Sequence, residues 1–164
     1  MGKVAYTLGD DVSTDVIYPG RYMATVLPAE TPQYAFADLK ELNASLTGGK
    51  VEPGSVIVAG ANFGCGSSRE QAASCLKGHA LVIVARSFAR IFLQNAVNVG
   101  LATWIVPEIE AEVGDELQIL ADRIMNTSRG KSFSAVPHAA SRQAIINAGG
   151  LIAYTRQRLV GQAI

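Results

Sequence analysis

The sequence predicts an α/β fold in which helices pack on a mixed sheet, and three observations carry that expectation. Short apolar runs at S55-V-I-V-A59, A80-L-V-I-V-A85 and T103-W-I-V-P107 are nearly continuous, as strands covered on both faces must be. Helical patterning fills the gaps between them, and crossovers of that length leave neighbouring strands parallel. The C-terminal third differs: E116-L-Q-I-L120 and the turn N126-T-S-R-G-K131, with Arg129-Gly130 at its tip, predict antiparallel pairing.

Taken in order, residues 3–8 (KVAYTL) read as a first strand. Residues 19–54 are the least regular part: Pro19-Gly20 and Pro28 through Pro32 interrupt them, a helix is expected at 33–46, and Gly48-Gly49 and Pro53-Gly54 mark the exit. An irregular stretch of this length in a small domain points to a functional loop or flap. After the strand at 55–59 and a glycine loop, a helix is expected from about 69 to 77, ending at Lys77-Gly78. A second helix spans 87–99, with Ser87 as N-cap, Phe88, Ile91, Phe92 and Val99 on its apolar face, and Gly100 as its stop. Ala140, Ala144, Ile145 and Ala148 mark one face of a helix at 138–148; Gly149-Gly150 ends it, and residues 151–159 form a last helix. Residues 1–164 suffice for one hydrophobic core and are short for two, so one domain is expected.

Composition narrows the function. Fourteen basic residues balance fourteen acidic ones, leaving no excess charge for nucleic acid or an anionic membrane. The start, MGKVAYTLGDD, lacks the apolar core of a signal peptide, and no apolar run approaches the ~20 residues needed to span a bilayer, which predicts a cytoplasmic protein.

The chemistry concentrates in G60-A-N-F-G-C-G-S-S-R-E70. A phosphate loop would need Gly-Lys five residues after Gly60, where Cys65-Gly66 stands. A dinucleotide fingerprint starting at Gly64 would put its third glycine on Arg69, and a nucleophile elbow at Ser68 would need glycine in place of Glu70. Cys65 and Cys75, ten apart, have no metal-ligand spacing. A helix start remains: Ser68 with Gln71, or Ser67 with Glu70, makes a capping box. Unpaired amides and the helix dipole favour an anion there, Arg69 offers a fork for a carboxylate, and Gly60, Gly64 and Gly66 let the backbone approach a ligand. A plain turn with capping serines is the alternative. Two serines exceed what one cap needs, and an arginine in the first turn opposes the dipole unless an anion compensates it.

These residues, with A85-R-S-F-A-R-I-F92 and N95-A-V-N-V-G-L101, resemble the small-subunit family of isopropylmalate isomerase (3-isopropylmalate dehydratase), relatives of the swivelling domain of aconitase. G9-D-D-V-S-T-D-V-I-Y-P-G-R-Y22 resembles the family's N-terminal segment; N126-x-T-x-G-K131 and A148-G-G-L-I-A-Y154 resemble its C-terminal one. The resemblance implies a swivelling β/β/α domain and a hydro-lyase of leucine biosynthesis that interconverts 2- and 3-isopropylmalate by dehydration and rehydration. It also implies a separate large subunit carrying a [4Fe–4S] cluster on three cysteines, so the expected assembly is a heterodimer or larger, with no cofactor and no metal in this chain. Carried over by position, Ser67 is the base, while Ser68 and Arg69 bind a substrate carboxylate. Asn62, Gly64 and Gly66 shape the loop, and Cys65 is no cluster ligand. Thr14-Asp15 is expected nearest the site.

A specificity loop is expected around residues 20–33. In the family, an arginine two positions beyond an Arg-Tyr pair goes with homoaconitase-type tricarboxylates and an uncharged residue with alkyl malates. Here R21-Y22-M23-A24-T25 places Ala24 there, so Met23, Ala24 and Thr25 are the candidate side-chain contacts. Ala24 beside Met23 differs from the bulkier aliphatic pairs common in the family's leucine-pathway members, which leaves 2,3-dimethylmalate, citramalate or a homoaconitase-type substrate as alternatives. A different class, a stand-alone anion-binding regulatory module, would use the same helix start without chemistry. Arg86, Ser87 and Arg90 are expected to stabilise the second crossover helix, and Arg90 could reach substrate or partner. His79 and His138 read as surface or loop residues, Trp104 as core, and Asp10, Asp11 and Asp15 as solvated or capping.

Overall fold

The computed structural model describes residues 1–161. Its sheet has seven strands in the order β4-β3-β2-β1-β5-β6-β7. β1 (Gly2–Thr7), β2 (Val56–Ala59), β3 (Val82–Ala85) and β4 (Ala102–Ile105) run parallel to one another. β5 (Glu116–Ile119), β6 (Arg123–Asn126) and β7 (Lys131–Ser134) continue antiparallel from β1. The sheet curls until its two edges meet, where Val136 N donates to Ile105 O (2.8 Å). His138 Nε2 adds a second clasp by donating to Thr103 O (2.9 Å), so this histidine ties the edges together.

The curl explains the unbroken apolar runs. Val56 and Val58 of β2 and Val84 of β3 face a cluster with Val4, Leu117, Ile124 and Phe133 inside the curl. The alternate residues Ile57, Ala59, Ile83 and Ala85 face the helices and join Leu76, Phe92 and Leu101. A strand between two apolar layers has no polar face to show. Trp104 is half-buried against the inner cluster.

Helices α3 (Glu70–Gly78) and α4 (Arg90–Val99) cross between the parallel strands. Three sequence expectations for the second crossover fail. Phe88 lies before α4 and bridges to Phe63. Ala89, not Ser87, is the N-cap of α4, and Ile91 is 46% exposed. Ser87 is drawn away because its hydroxyl accepts the Asn62 amide (2.8 Å). Gly100 does stop the helix, in the left-handed region at φ 72°. The helix expected at 33–46 is shorter: a 3₁₀ turn at Thr31–Tyr34 precedes α2 (Lys40–Thr47). The early part of that range is committed elsewhere, since Phe36 N bonds back to Ile17 O (2.7 Å) and Phe36 adopts φ 53°. A short helix the sequence reading omitted, α1 (Thr14–Ile17), follows β1 with Ser13 as its cap. α5 (Ala140–Asn147) and α6 (Leu151–Gly161) close the chain. Among the described residues, no helix is long and apolar enough to cross a membrane.

Candidate active site

Because β1 and β2 are parallel neighbours, the loops leaving their C-terminal ends start side by side, and backbone bonds keep them so. Gly60 N donates to Gly9 O (3.1 Å), Asp11 N to Ala61 O (2.9 Å), Gly64 N to Val12 O (2.7 Å) and Thr14 N to Cys65 O (2.8 Å). The Thr14 hydroxyl completes the seam by donating to Ser67 O (2.9 Å). Asp11 and Asn62 both sit at positive φ, 54° and 59°, and are joined by Asn62 Nδ2 donating to Asp11 Oδ1 (2.8 Å). Short amide and carboxylate side chains tolerate that backbone. The loop after β3 locks onto the other side through Phe63 N to Ser87 O (3.0 Å) and Ala89 N to Phe63 O (2.9 Å).

This seam delivers the Gly-Ser-Ser-Arg run to the start of α3, but not as a capping box. The N-cap is Arg69, with no side-chain cap bond, and α3 begins at Glu70. The Ser67 carbonyl accepts from Thr14 Oγ1 and from the Arg69 amide (2.9 Å), and both serines lie before the cap, outside the helix. Both serines are exposed, and among the described residues neither hydroxyl has a hydrogen-bond partner. The amides of Ser68, Glu70 and Gln71 likewise donate to no described protein group. A helix start with free amides and free hydroxyls favours an anion.

Arg69 lies along the floor of this site, its side chain 14% exposed. Nη1 donates to Asp15 Oδ1 and to Tyr18 O (3.2 Å). Nε and Nη2 have no partner among the described residues, and two donors of the fork therefore stay available. Thr14 thus contacts Ser67 and Asp15 contacts Arg69, so Asp15 is neither a cap nor merely solvated. Nothing local in the sequence links Asp15 to Arg69, 54 residues away; the parallel register of β1 and β2 brings them together.

The three loop glycines differ, and Gly60 faces no ligand space: a Cβ there would lie 1.9 Å from Asp10 Oδ1. Gly64 is buried at φ 80°, and a Cβ there would lie 2.1 Å from Phe92 Cγ, so its bareness serves the core. Gly66, at φ 92°, is exposed, and a Cβ would meet nothing nearer than Thr14 Oγ1 at 3.6 Å.

Residues 23–25 approach the same helix start. Met23 and Ala24 are exposed and Thr25 is half-buried; the Met23 carbonyl accepts a long bond from Gln71 Nε2 (3.5 Å). Between this segment, α3 and α6 lies a cleft of about 610 Å³ whose lining includes Val26, Pro28, Ser68, Gln71, Lys77 and Ile152. Ser68 borders both the cleft and the helix start. Arg86 and Arg90 are exposed and form no ion pair among the described residues. His79 is a tether, donating from Nε2 to Pro32 O (2.9 Å).

Among the described residues, no three His, Cys, Asp or Glu side chains converge on a point that could hold a metal. Cys65 donates its thiol to Asp11 O (3.4 Å), and Cys75 is fully buried, which pushes its thiol pKa far up and away from ligand duty. This donor set does not fit an iron–sulfur cluster.

A curled mixed sheet with crossover helices and an anion-ready Ser-Ser-Arg helix start define an aconitase-type swivelling domain, and the family described as the aconitase C-terminal domain matches residues 37–108. A 3-isopropylmalate dehydratase small subunit from Thermodesulfovibrio yellowstonii is 41% identical over 163 residues, covering 96% of this chain and 94% of that protein. A methanogen homoaconitase small subunit from Methanocaldococcus jannaschii is also 41% identical, covering 97% and 93%. The crystal structure of a 3-isopropylmalate dehydratase from Methanocaldococcus jannaschii has a TM-score of 0.87 at 40% identity, over 98% of this chain and 96% of that one. The chain belongs to the 3-isopropylmalate dehydratase small-subunit family, hydro-lyase components of the aconitase superfamily.

Proposed function

We propose that this chain supplies the carboxylate-binding and proton-transferring half of an active site that interconverts 2-isopropylmalate and 3-isopropylmalate in the cytoplasm. The observation that carries the reading is the pair of exposed, unpartnered hydroxyls, Ser67 and Ser68, beside the free donors of Arg69 at the start of α3. Either hydroxyl could donate to a bound anion; chemistry is favoured over binding alone because the chain's relatives are dehydratase small subunits.

In this reading Arg69 receives one substrate carboxylate on Nε and Nη2, and Asp15 and the Tyr18 carbonyl keep the guanidinium turned by holding Nη1. Ser68 and the free amides of Glu70 and Gln71 complete the carboxylate cradle. Ser67 Oγ, as an alkoxide, takes the proton from the carbon beside that carboxylate and returns it during rehydration. An isolated serine is far too weak a base; the helix start and the neighbouring guanidinium stabilise its charged form. A [4Fe–4S] cluster on a large subunit would supply Lewis-acid assistance to the departing hydroxyl; the two cysteines here fall short of the three that would hold one.

Residues 20–33 form the specificity loop, with Met23, Ala24 and Thr25 meeting the substrate's alkyl group. Ala24 offers no cation to a third carboxylate, which favours an alkyl malate over a homoaconitase-type tricarboxylate. The test is reconstitution. The purified chain should be inactive on 3-isopropylmalate and gain dehydratase activity when mixed anaerobically with a cluster-loaded large subunit. Activity from the chain alone would overturn the reading.

A further inference from the structure

The segment that reaches over the start of α3 is anchored at its far end, where Leu27 O accepts from Glu30 N (2.9 Å) and Thr31 N (3.1 Å), and at its near end by one hydroxyl. Val26 and Leu27 are 65% and 56% exposed, while Met23, at 37%, and Thr25 are partly covered, so side-chain packing holds residues 23–27 only in part. Met23 N to Gly20 O (3.1 Å) and Thr25 N to Tyr22 O (2.9 Å) are bonds within the turn and do not attach it to the core. The bond from Gln71 is at the limit of length, 3.5 Å.

Tyr18 makes the attachment. It is completely buried, and its hydroxyl lies 3.2 Å from Tyr22 O and 3.3 Å from Thr25 O, the two ends of the turn. Its ring is fixed edge-on to Tyr34, centroids 6.2 Å apart, and Tyr34 in turn stacks on Tyr22 at 4.1 Å. Its main-chain carbonyl accepts from Arg69 Nη1 (3.2 Å). One residue therefore grips both the guanidinium at the helix start and the turn that carries Met23 and Ala24. Burial raises the phenol's pKa, so it remains a donor. A buried hydroxyl without a partner is costly, and this one shares its single proton between the two carbonyls.

We propose that Tyr18 is a specificity-determining positioning residue, whose hydroxyl sets the height of the 22–25 turn above the carboxylate site and so the room left for the substrate's alkyl group. This rests on the reading of residues 20–33 as the specificity loop. Tyr18→Phe removes the oxygen and keeps the ring, and its thermal melting should confirm a folded chain.

Two measurements on that variant and one control test the proposal. Hydrogen exchange in the peptide containing Met23 to Thr25 should accelerate about two- to tenfold, the change expected for one neutral hydrogen bond. In the reconstituted enzyme, the ratio of kcat/KM for 3-isopropylmalate over 3-methylmalate should fall about threefold or more, through KM more than kcat. Ala24→Leu serves as the control, because it should shift the same ratio by filling the space directly. Unchanged exchange in Tyr18→Phe overturns the proposal. Faster exchange with an unchanged ratio, while Ala24→Leu shifts it, overturns the role of Tyr18 and spares the loop reading. Faster exchange with neither variant shifting the ratio overturns the loop reading and the proposal with it.

Discussion

Alanine at position 64 should cost the fold several times what alanine at position 66 costs, although the two glycines are two residues apart in one loop. Both adopt positive φ, 80° and 92°, so each variant pays the left-handed penalty of an L-residue, about 1–2 kcal/mol. A new Cβ at 64 would also lie 2.1 Å from Phe92 Cγ and 2.4 Å from its Cβ, well inside contact distance. Phe92 has little room to retreat: Phe63 stands edge-on to it at 5.2 Å, and Phe88 lies parallel at 6.1 Å. Overpacking of that kind adds about 1–3 kcal/mol. The alanine recovers about 0.4–1 kcal/mol by stiffening the unfolded chain. The net expectation is about 2–4 kcal/mol for Gly64→Ala and about 1 kcal/mol for Gly66→Ala, whose Cβ meets Thr14 Oγ1 at an ordinary 3.6 Å. Urea unfolding with matched m-values measures the difference, and dehydratase assays of the reconstituted complex show whether Gly66→Ala loses activity while folded. Equal destabilisation of the two variants would refute the assignment of Gly64 to the core and Gly66 to the ligand side.

Three further outcomes are expected. Ser67→Ala should lower kcat on the order of 10²–10⁴-fold with little change in KM, and wild-type turnover would remove Ser67 as the base. Ala24→Arg should move the enzyme's preference toward homoaconitate by on the order of 10–150-fold, the value of one charge-assisted contact; unchanged ratios of kcat/KM would take position 24 out of the specificity reading. Asp115 accepts from the Glu112 amide (2.9 Å), Asn126 Nδ2 (2.8 Å) and Arg129 Nε (2.7 Å), which lower its pKa in that order of effect for the first two. A carboxylate with a depressed folded pKa stabilises the fold above its unfolded value and loses that contribution as pH falls through the folded one. Stability should therefore fall less steeply below about pH 4 in Asp115→Asn than in wild type, and parallel acid-unfolding curves would refute this.

Much of the fold was legible because it follows from local pattern. The three apolar runs read as strands and formed them, the first two almost wholly buried, and Gly100 and Gly130 stand at positive φ where a helix stop and a hairpin tip were expected. What escaped was decided by partners distant in sequence. Ser87 has the chemistry of a cap and instead receives the Asn62 amide, 25 residues back. Ser67 and Ser68 look like a capping box, yet both lie before the cap at Arg69, and the Thr14 hydroxyl, 53 residues away, donates to the Ser67 carbonyl. The helix at 33–46 lost its first turns to a bond between Phe36 and Ile17. The anion-binding character of the loop could be read from its composition; the Asp15 and Tyr18 contacts that orient Arg69 could not, because they exist only once β1 lies beside β2.

The seam between residues 9–14 and 60–67 has a consequence for how the protein fails. Every bond in it joins positions about fifty residues apart, and each depends on two strands that meet only through a long crossover. A partly folded chain cannot hold even a crude version of the Ser-Ser-Arg platform, because half of its framework would be elsewhere. Any condition that separates β1 from β2 should thus extinguish catalysis outright, whatever secondary structure survives elsewhere.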